Sequence, residues 1–88
     1  MPNLSMFYGI IIYMYNEGGS KHHVPHIHAR FAEDELVISL DGAELEGTLP
    51  QSKKTLVLAW INIHRDELYA NWDLLLKGEP AYKIEPLR

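Results

Sequence analysis

The sequence has no cysteine among its 88 residues, so neither disulfides nor thiolate metal sites can staple so short a chain. A chain built this way suits a reducing compartment, and a cytoplasmic protein is expected. Long apolar runs are also missing. The one extended candidate, Met6 to Tyr15, is about half of the roughly 20 residues a membrane-spanning helix needs. No charged segment precedes it as in a secretory leader, so no membrane role is expected. Basic charge is scarce: 8 Lys and Arg stand against 12 Asp and Glu, a net charge of −4. That balance disfavours nucleic-acid binding summed over many phosphates, which needs a broad basic face.

What is present fits one globular domain over residues 1–88. Hydrophobic residues make up 47% and charged residues 23%, which excludes the low-hydrophobicity, high-charge signature of disorder. The charge is uneven. Phe31 to Pro50 holds six acids (Glu33, Asp34, Glu35, Asp41, Glu44, Glu46) and no Lys or Arg, whereas Glu17 to Arg30 sets Lys21 and Arg30 against Glu17 alone. An acidic chain with one local basic stretch can still hold a single phosphate or a negative partner patch.

The patterning predicts strands followed by a helix. Met6 to Tyr15, β-branched and aromatic and apolar at both parities, reads as one central strand. "NEGG" at 16–19 is turn chemistry, and Pro25 opens the next strand, where a missing N–H does least harm. From His26 to Phe31 the alternation is clean, with His26, His28 and Arg30 on one face and Ile27, Ala29 and Phe31 on the other. After a turn at 32–34, "ELVISLD" alternates again, and Asp41-Gly42 predicts a type I′ hairpin. A strand through "AELEGTL" follows, with Ala43, Leu45, Gly47 and Leu49 inward and Glu44, Glu46 and Thr48 outward.

Beyond Pro50 the period becomes helical. Ser52 as N-cap and Gly78 with Pro80 as stop frame a helix from Lys53 to Lys77. Its apolar stripe is Val57, Trp60, Ile61, His64, Leu68, Trp72 and Leu75, with Asn62, Arg65, Asp66, Tyr69 and Asp73 on the wet side. The tail "AYKIEPLR" predicts a short edge strand. The fold class is therefore α+β, an antiparallel four- to five-stranded meander sheet packed on one long C-terminal helix.

"HHVPHIHARF" at 22–31 gathers four of the five histidines. Residues two apart on a strand lie roughly 6.6 Å apart and share a face, so His26 and His28 can hold one small object between them. With a phosphodiester there, one imidazole takes a proton from an RNA 2′-hydroxyl, the other gives one to the leaving oxygen, and Arg30 balances the charge that develops. These three are the candidate catalytic residues. A zinc site uses the same geometry but needs a third ligand from His22, His23 or a carboxylate, and Arg30 opposes a dication, so neither a metal nor another cofactor is assigned. Solvated side chains without a task are the third reading.

His64 falls on the helix's apolar stripe, where a buried histidine bonded to the backbone or a Tyr is the default. Strand parity turns His26 and His28 away from the helix, so His64 is not expected to join them. Lys53 and Lys54 are expected to be solvated. One helix covers only one face of the first strand, which leaves Tyr8, Ile10, Ile12, Tyr13 and Tyr15 as a candidate interface for a second chain: a homodimer or a small partner protein.

The segments "FYGIIIYMY", "PHIHARF", "WINIHRDELYANW" and "GEPAYKIEPL" together resemble the domain-of-unknown-function 4160 family of small bacterial proteins, nearly end to end. Positions matching its signatures are His23, Pro25, His26, His28, Trp60, His64, Arg65, Asn71 and Trp72. Val24 stands where the family's pattern has a further proline. His23, Pro25, His64, Arg65 and Asn71 are accordingly candidates for supporting roles. The resemblance implies a neighbour of the domain-of-unknown-function 2442 family and a toxin-antitoxin pair, hence an antitoxin as partner and RNA as the substrate class.

Overall fold

The computed structural model describes residues 3–15 and 24–88. The "NEGG" turn, His22 and His23 fall outside the described residues. Among the described residues five antiparallel strands form one sheet in chain order: β1 (Ser5–Phe7), β2 (Ile10–Tyr13), β3 (His26–Phe31), β4 (Asp34–Ser39) and β5 (Glu44–Gly47), followed by one helix kinked at His64, α1 (Gln51–Leu76). Neighbours in sequence are neighbours in the sheet.

The run from Met6 to Tyr15 is two strands, not one. Tyr8 (φ 50°) and Gly9 (φ 79°) both take positive φ, the requirement of a two-residue type I′ turn whose twist suits a hairpin, and Phe7 pairs with Ile10 across it. The second hairpin closes on Phe31 opposite Asp34, with Ala32 at φ 54° in the turn. The third differs from the two-residue turn expected at Asp41-Gly42. Gly42 alone is at positive φ (98°), the Gly42 N–H donates to the Ser39 carbonyl at 2.9 Å, and the Ser39 N–H donates to the Ala43 carbonyl at 2.8 Å. This is a three-residue loop with its glycine in the left-handed position.

A bulge then shifts the parity of β5. Val37 lies opposite Glu46 but Ile38 lies opposite Glu44, so Glu44, expected to face outward, turns to the helix side and pairs with Lys54 Nζ at 3.1 Å. Lys53 is also engaged. Its Nζ donates to the Tyr8 carbonyl at 3.2 Å and stands 4.7 Å over the Phe31 ring, so the expected solvation of this pair does not hold.

The helix starts two residues before the expected boundary, with Pro50 at the cap position and no side-chain cap bond from Ser52. It ends as Gly78 predicts. With Gly78 at φ 78°, the Glu79 N–H reaches the Leu74 carbonyl (2.9 Å) and the Gly78 N–H the Leu75 carbonyl (3.0 Å), the paired bonds of a Schellman ending. Val57, Trp60, Ile61, Leu68 and Asn71 are its buried residues. They pack with Ile10, Ile12, Ile27, Ala29, Leu36, Ile38 and Leu40 from one face of the sheet. His64, Trp72 and Leu75, placed on the stripe by periodicity, are only half-buried, while the polar Asn71 is fully enclosed.

The tail forms no strand. Four bonds tie its backbone to the fold: Ile84 N–H to the Leu4 carbonyl (2.9 Å), Trp60 Nε1 to the Glu85 carbonyl (2.8 Å), Asn71 Nδ2 to the Tyr82 carbonyl (2.9 Å) and the Tyr82 N–H to Asn71 Oδ1 (3.0 Å). The sheet reaches five strands because its first segment folds back, not because the tail joins it.

Candidate active site

Antiparallel pairing puts opposed residues on the same face, so the register defines a grid on the sheet face opposite the apolar core. One row runs Met6, Ile11, Arg30, Glu35; the next runs Tyr13, His28, Val37, Glu46; a third sets His26 opposite Ser39. Strand parity thus brings His26, His28 and Arg30 to one face, as the alternation predicts.

The two imidazole rings lie 5.4 Å apart between centroids. His26 Nδ1 is 2.7 Å from the Val24 carbonyl. A carbonyl oxygen only accepts, so this nitrogen carries the proton and Nε2 is the basic nitrogen of the neutral ring. His28 Nδ1 lies 3.0 Å from Glu35 Oε2, and the other oxygen of that carboxylate is 3.6 Å from Arg30 Nε. A carboxylate on Nδ1 likewise selects the Nδ1–H tautomer and fixes the ring's orientation. Tyr15 stands edge-on to His28 at 4.7 Å.

Exposure separates the three candidates. The Arg30 side chain is 53% exposed, His28 is 9% exposed and His26 only 1%. The expectation that both histidines lie on a face the helix leaves open needs correction, because the Trp72 indole from α1 is 5.3 Å from the His26 ring. The helix is kinked at His64, and its turns beyond the kink reach the residue that begins β3.

The supporting candidates have separate duties. Pro25 extends the β3–β4 ladder by accepting the Leu40 N–H at 3.0 Å. His64 stays apart from the strand pair, as parity requires: its Nδ1 is 2.6 Å from Glu67 Oε1 and its ring 5.6 Å from that of Trp60. His64 also departs from helical geometry at φ −110°, ψ 22°. Arg65 ties the helix to the β4–β5 loop through Nε to the Leu40 carbonyl (3.0 Å), while its Nη2 donates to Asn62 Oδ1 at 2.7 Å. Asn71 holds the tail. None of the last three touches the histidine pair through these bonds, and His23 lies outside the described residues.

The candidate interface is corrected at two positions. Ile10 and Ile12 are fully buried in the core, because the hairpin at Tyr8-Gly9 resets which parity faces the helix. Tyr13 and Tyr15 are half-buried beside His28, their rings near parallel (7°) at 6.0 Å. Tyr8 is 55% exposed at the turn, with Met6 nearby at 58%.

Glu35 and Trp72 are the contributors that residue-by-residue reading misses. Glu35 had a signal: a two-residue turn at Ala32-Glu33 places it opposite Arg30, but a turn drawn over 32–34 hides that register. Among the described residues no group of three or more His, Cys, Asp or Glu side chains is arranged to hold a metal ion, and no helix is long and apolar enough to cross a membrane.

A family described as "Domain of unknown function (DUF4160)" matches residues 9–73, well over half of the chain. No curated protein and no solved structure matches it.

Proposed function

The chain belongs to the DUF4160 family, and on that premise we propose that it is the toxin-like component of a bacterial two-protein module, cutting RNA in the cytoplasm at the His26–His28–Arg30 face. The observation that carries this reading is the Glu35 carboxylate, which contacts His28 and Arg30 together. One carboxylate thereby fixes a tautomer on the base and the position of the cation beside it, which is the preorganisation that acid–base chemistry on a phosphodiester needs. His28 Nε2 takes the proton of a 2′-hydroxyl, and that oxygen forms a bond to phosphorus. The bond to the 5′-oxygen breaks and the leaving oxygen is protonated by the second imidazole, His26, which enters the step as an imidazolium with a proton on Nε2 as well as on Nδ1 and leaves it as the neutral Nδ1–H ring. Arg30 faces the non-bridging oxygens, and no external reactant is required. The absence of cysteine supports a reducing compartment.

Induced by itself, the chain is expected to slow growth, and the purified protein to cleave a fluorogenic RNA. His28→Ala should lower that cleavage about 10²- to 10⁴-fold, the usual contribution of a positioned acid or base. Equal cleavage and equal growth inhibition by a His26→Ala/His28→Ala double variant would remove the reading.

A second reading has its own observation. His26 is 1% exposed beneath Trp72, whereas Met6 and Tyr8 are more than half exposed. This combination favours a non-enzymatic interaction domain that docks a small partner or a second copy through the β1–β2 hairpin. Such a domain would slow growth no more in its native form than as the double variant, so the same experiment separates the two.

A further inference from the structure

The face around Arg30 is asymmetric, and the asymmetry says which way a bound strand must run. On the β4–β5 side, the Arg30 row continues to the carboxylate Glu35, and the His28 row continues through the buried Val37 to the carboxylate Glu46. On the β1–β2 side they are Ile11 and Met6 in the Arg30 row and Tyr13 in the His28 row. Met6 is 58% exposed, Ile11 and Tyr13 are half-buried, and the Tyr13 ring lies parallel to that of Tyr15.

A phosphate held by Arg30 is repelled from the acidic side. The rest of the nucleotide is directed over an apolar, aromatic shelf, which adds stacking and apolar contact and no charge. Such a shelf suits the flat face of a nucleobase, because base–aromatic stacking tolerates any base and needs no matched donors. A base inside a duplex is paired and stacked on its neighbours and cannot lie down there, whereas an unpaired one can. The chain's net charge of −4 agrees with recognition through one phosphate and one base instead of a long run of phosphates.

Resting on the reading of this face as a phosphodiester site, we propose that its substrate class is single-stranded RNA, with one unpaired base lying on the Met6–Ile11–Tyr13 shelf beside the phosphate at Arg30. The test is fluorescence anisotropy of the full chain with a short single-stranded 2′-O-methyl RNA, which has no 2′-hydroxyl to react. The same strand annealed to its complement and the same strand with abasic positions serve as competitors. The intact single strand should bind about 5- to 150-fold more tightly than either, the range that stacking one base covers. Tyr13→Ala should remove that margin and Tyr13→Phe restore it, with unchanged circular dichroism in both.

Duplex or abasic strands binding as tightly as the intact single strand would overturn the shelf, as would Tyr13→Ala binding like the native chain or no binding of the single strand at all. Failure of the shelf and failure of the chemistry are distinguishable. A chain that cleaves RNA yet ignores base and strandedness loses the shelf and keeps the reaction. A chain that binds the inert strand through Tyr13 yet never cleaves keeps the shelf and loses the reaction.

Discussion

Gly47 shows how tightly one residue can be tied to the candidate site. It lies in β5 opposite Leu36 at φ 75°, and a Cβ added to it would sit 2.0 Å from the backbone carbonyl oxygen of Glu35. That carbonyl belongs to the residue whose side chain joins His28 to Arg30, so strand β5 presses directly on the backbone that presents the carboxylate. Gly47→Ala therefore meets two penalties, the left-handed backbone and a backbone overlap that no side-chain rotation relieves. Together they are expected to cost about 3 kcal/mol, a fall in Tm of roughly 15 °C for a domain this small. Thermal unfolding followed by circular dichroism checks it, and an unchanged midpoint would mean that β5 does not approach Glu35 as described. Ala32 at φ 54° is exposed in its turn, so its left-handed backbone carries no such overlap. Position, not residue type, sets the penalty.

At the scale of elements, α1 is bonded to the sheet at both ends of its exposed flank. Lys53 and Lys54 reach the Tyr8 turn and β5 near its start, while Arg65 and Tyr69 reach the β4–β5 loop, where the Tyr69 hydroxyl donates to Asp41 Oδ1 at 3.0 Å. That bond, with burial and the Asp41 charge adding to it and Arg65 opposing, holds the Tyr69 hydroxyl above its ordinary value of 10.0. A group whose folded pKa is raised stabilises the fold below the unfolded value and loses that contribution as pH rises through the folded one. Native protein should therefore lose stability above about pH 10 in a way that Tyr69→Phe does not, and the variant should be the less stable of the two at pH 8. Urea titrations on either side of that boundary measure both effects, and parallel curves for the two proteins would discount the loop clamp.

Much of this element layer is legible in the chain and some is not, for identifiable reasons. The alternation from His26 to Phe31 places Arg30 and both histidines on one face, and Gly78 marks the helix stop. The Tyr8-Gly9 turn is hidden because a run apolar at both parities carries no alternation to interrupt, leaving one glycine as the whole signal. The β5 bulge is invisible to any period-two reading, since it changes parity within the strand, and it is what turns Glu44 toward Lys54. The Trp72–His26 contact lies beyond the kink at His64, which the helical period does not mark. The exposed flank of α1 is as polar as predicted in composition, yet two of its wet residues, Arg65 and Tyr69, are structural ties.

At the scale of the whole molecule, the tail closes the fold. The family match ends at residue 73, but Trp60 and Asn71 inside it donate to residues 85 and 82 beyond it. Asn71 is fully buried, and its side-chain amide pairs with both the N–H and the carbonyl of Tyr82, which is how one strand would bond its neighbour. Two backbone groups of the tail, in part-buried bonds, thus have their partners on a helix, and the neighbouring Ile84 is enclosed at 4% exposure with its N–H on the Leu4 carbonyl. Asn71→Leu keeps the volume and removes both bonds. Leaving buried groups unpaired costs about 1 to 3 kcal/mol each, so a loss of roughly 3 kcal/mol is expected against a total of about 4 to 13 kcal/mol for a domain of this length. The loss should be local as well as global. The Tyr82 and Ile84 amides should exchange with solvent much faster in the variant, and trypsin should cut after Lys83 at a rate the native chain does not show. Protection of those amides equal to the native protein's would show that core burial of Ile84 alone holds the tail, and that the asparagine is not the residue that fastens it.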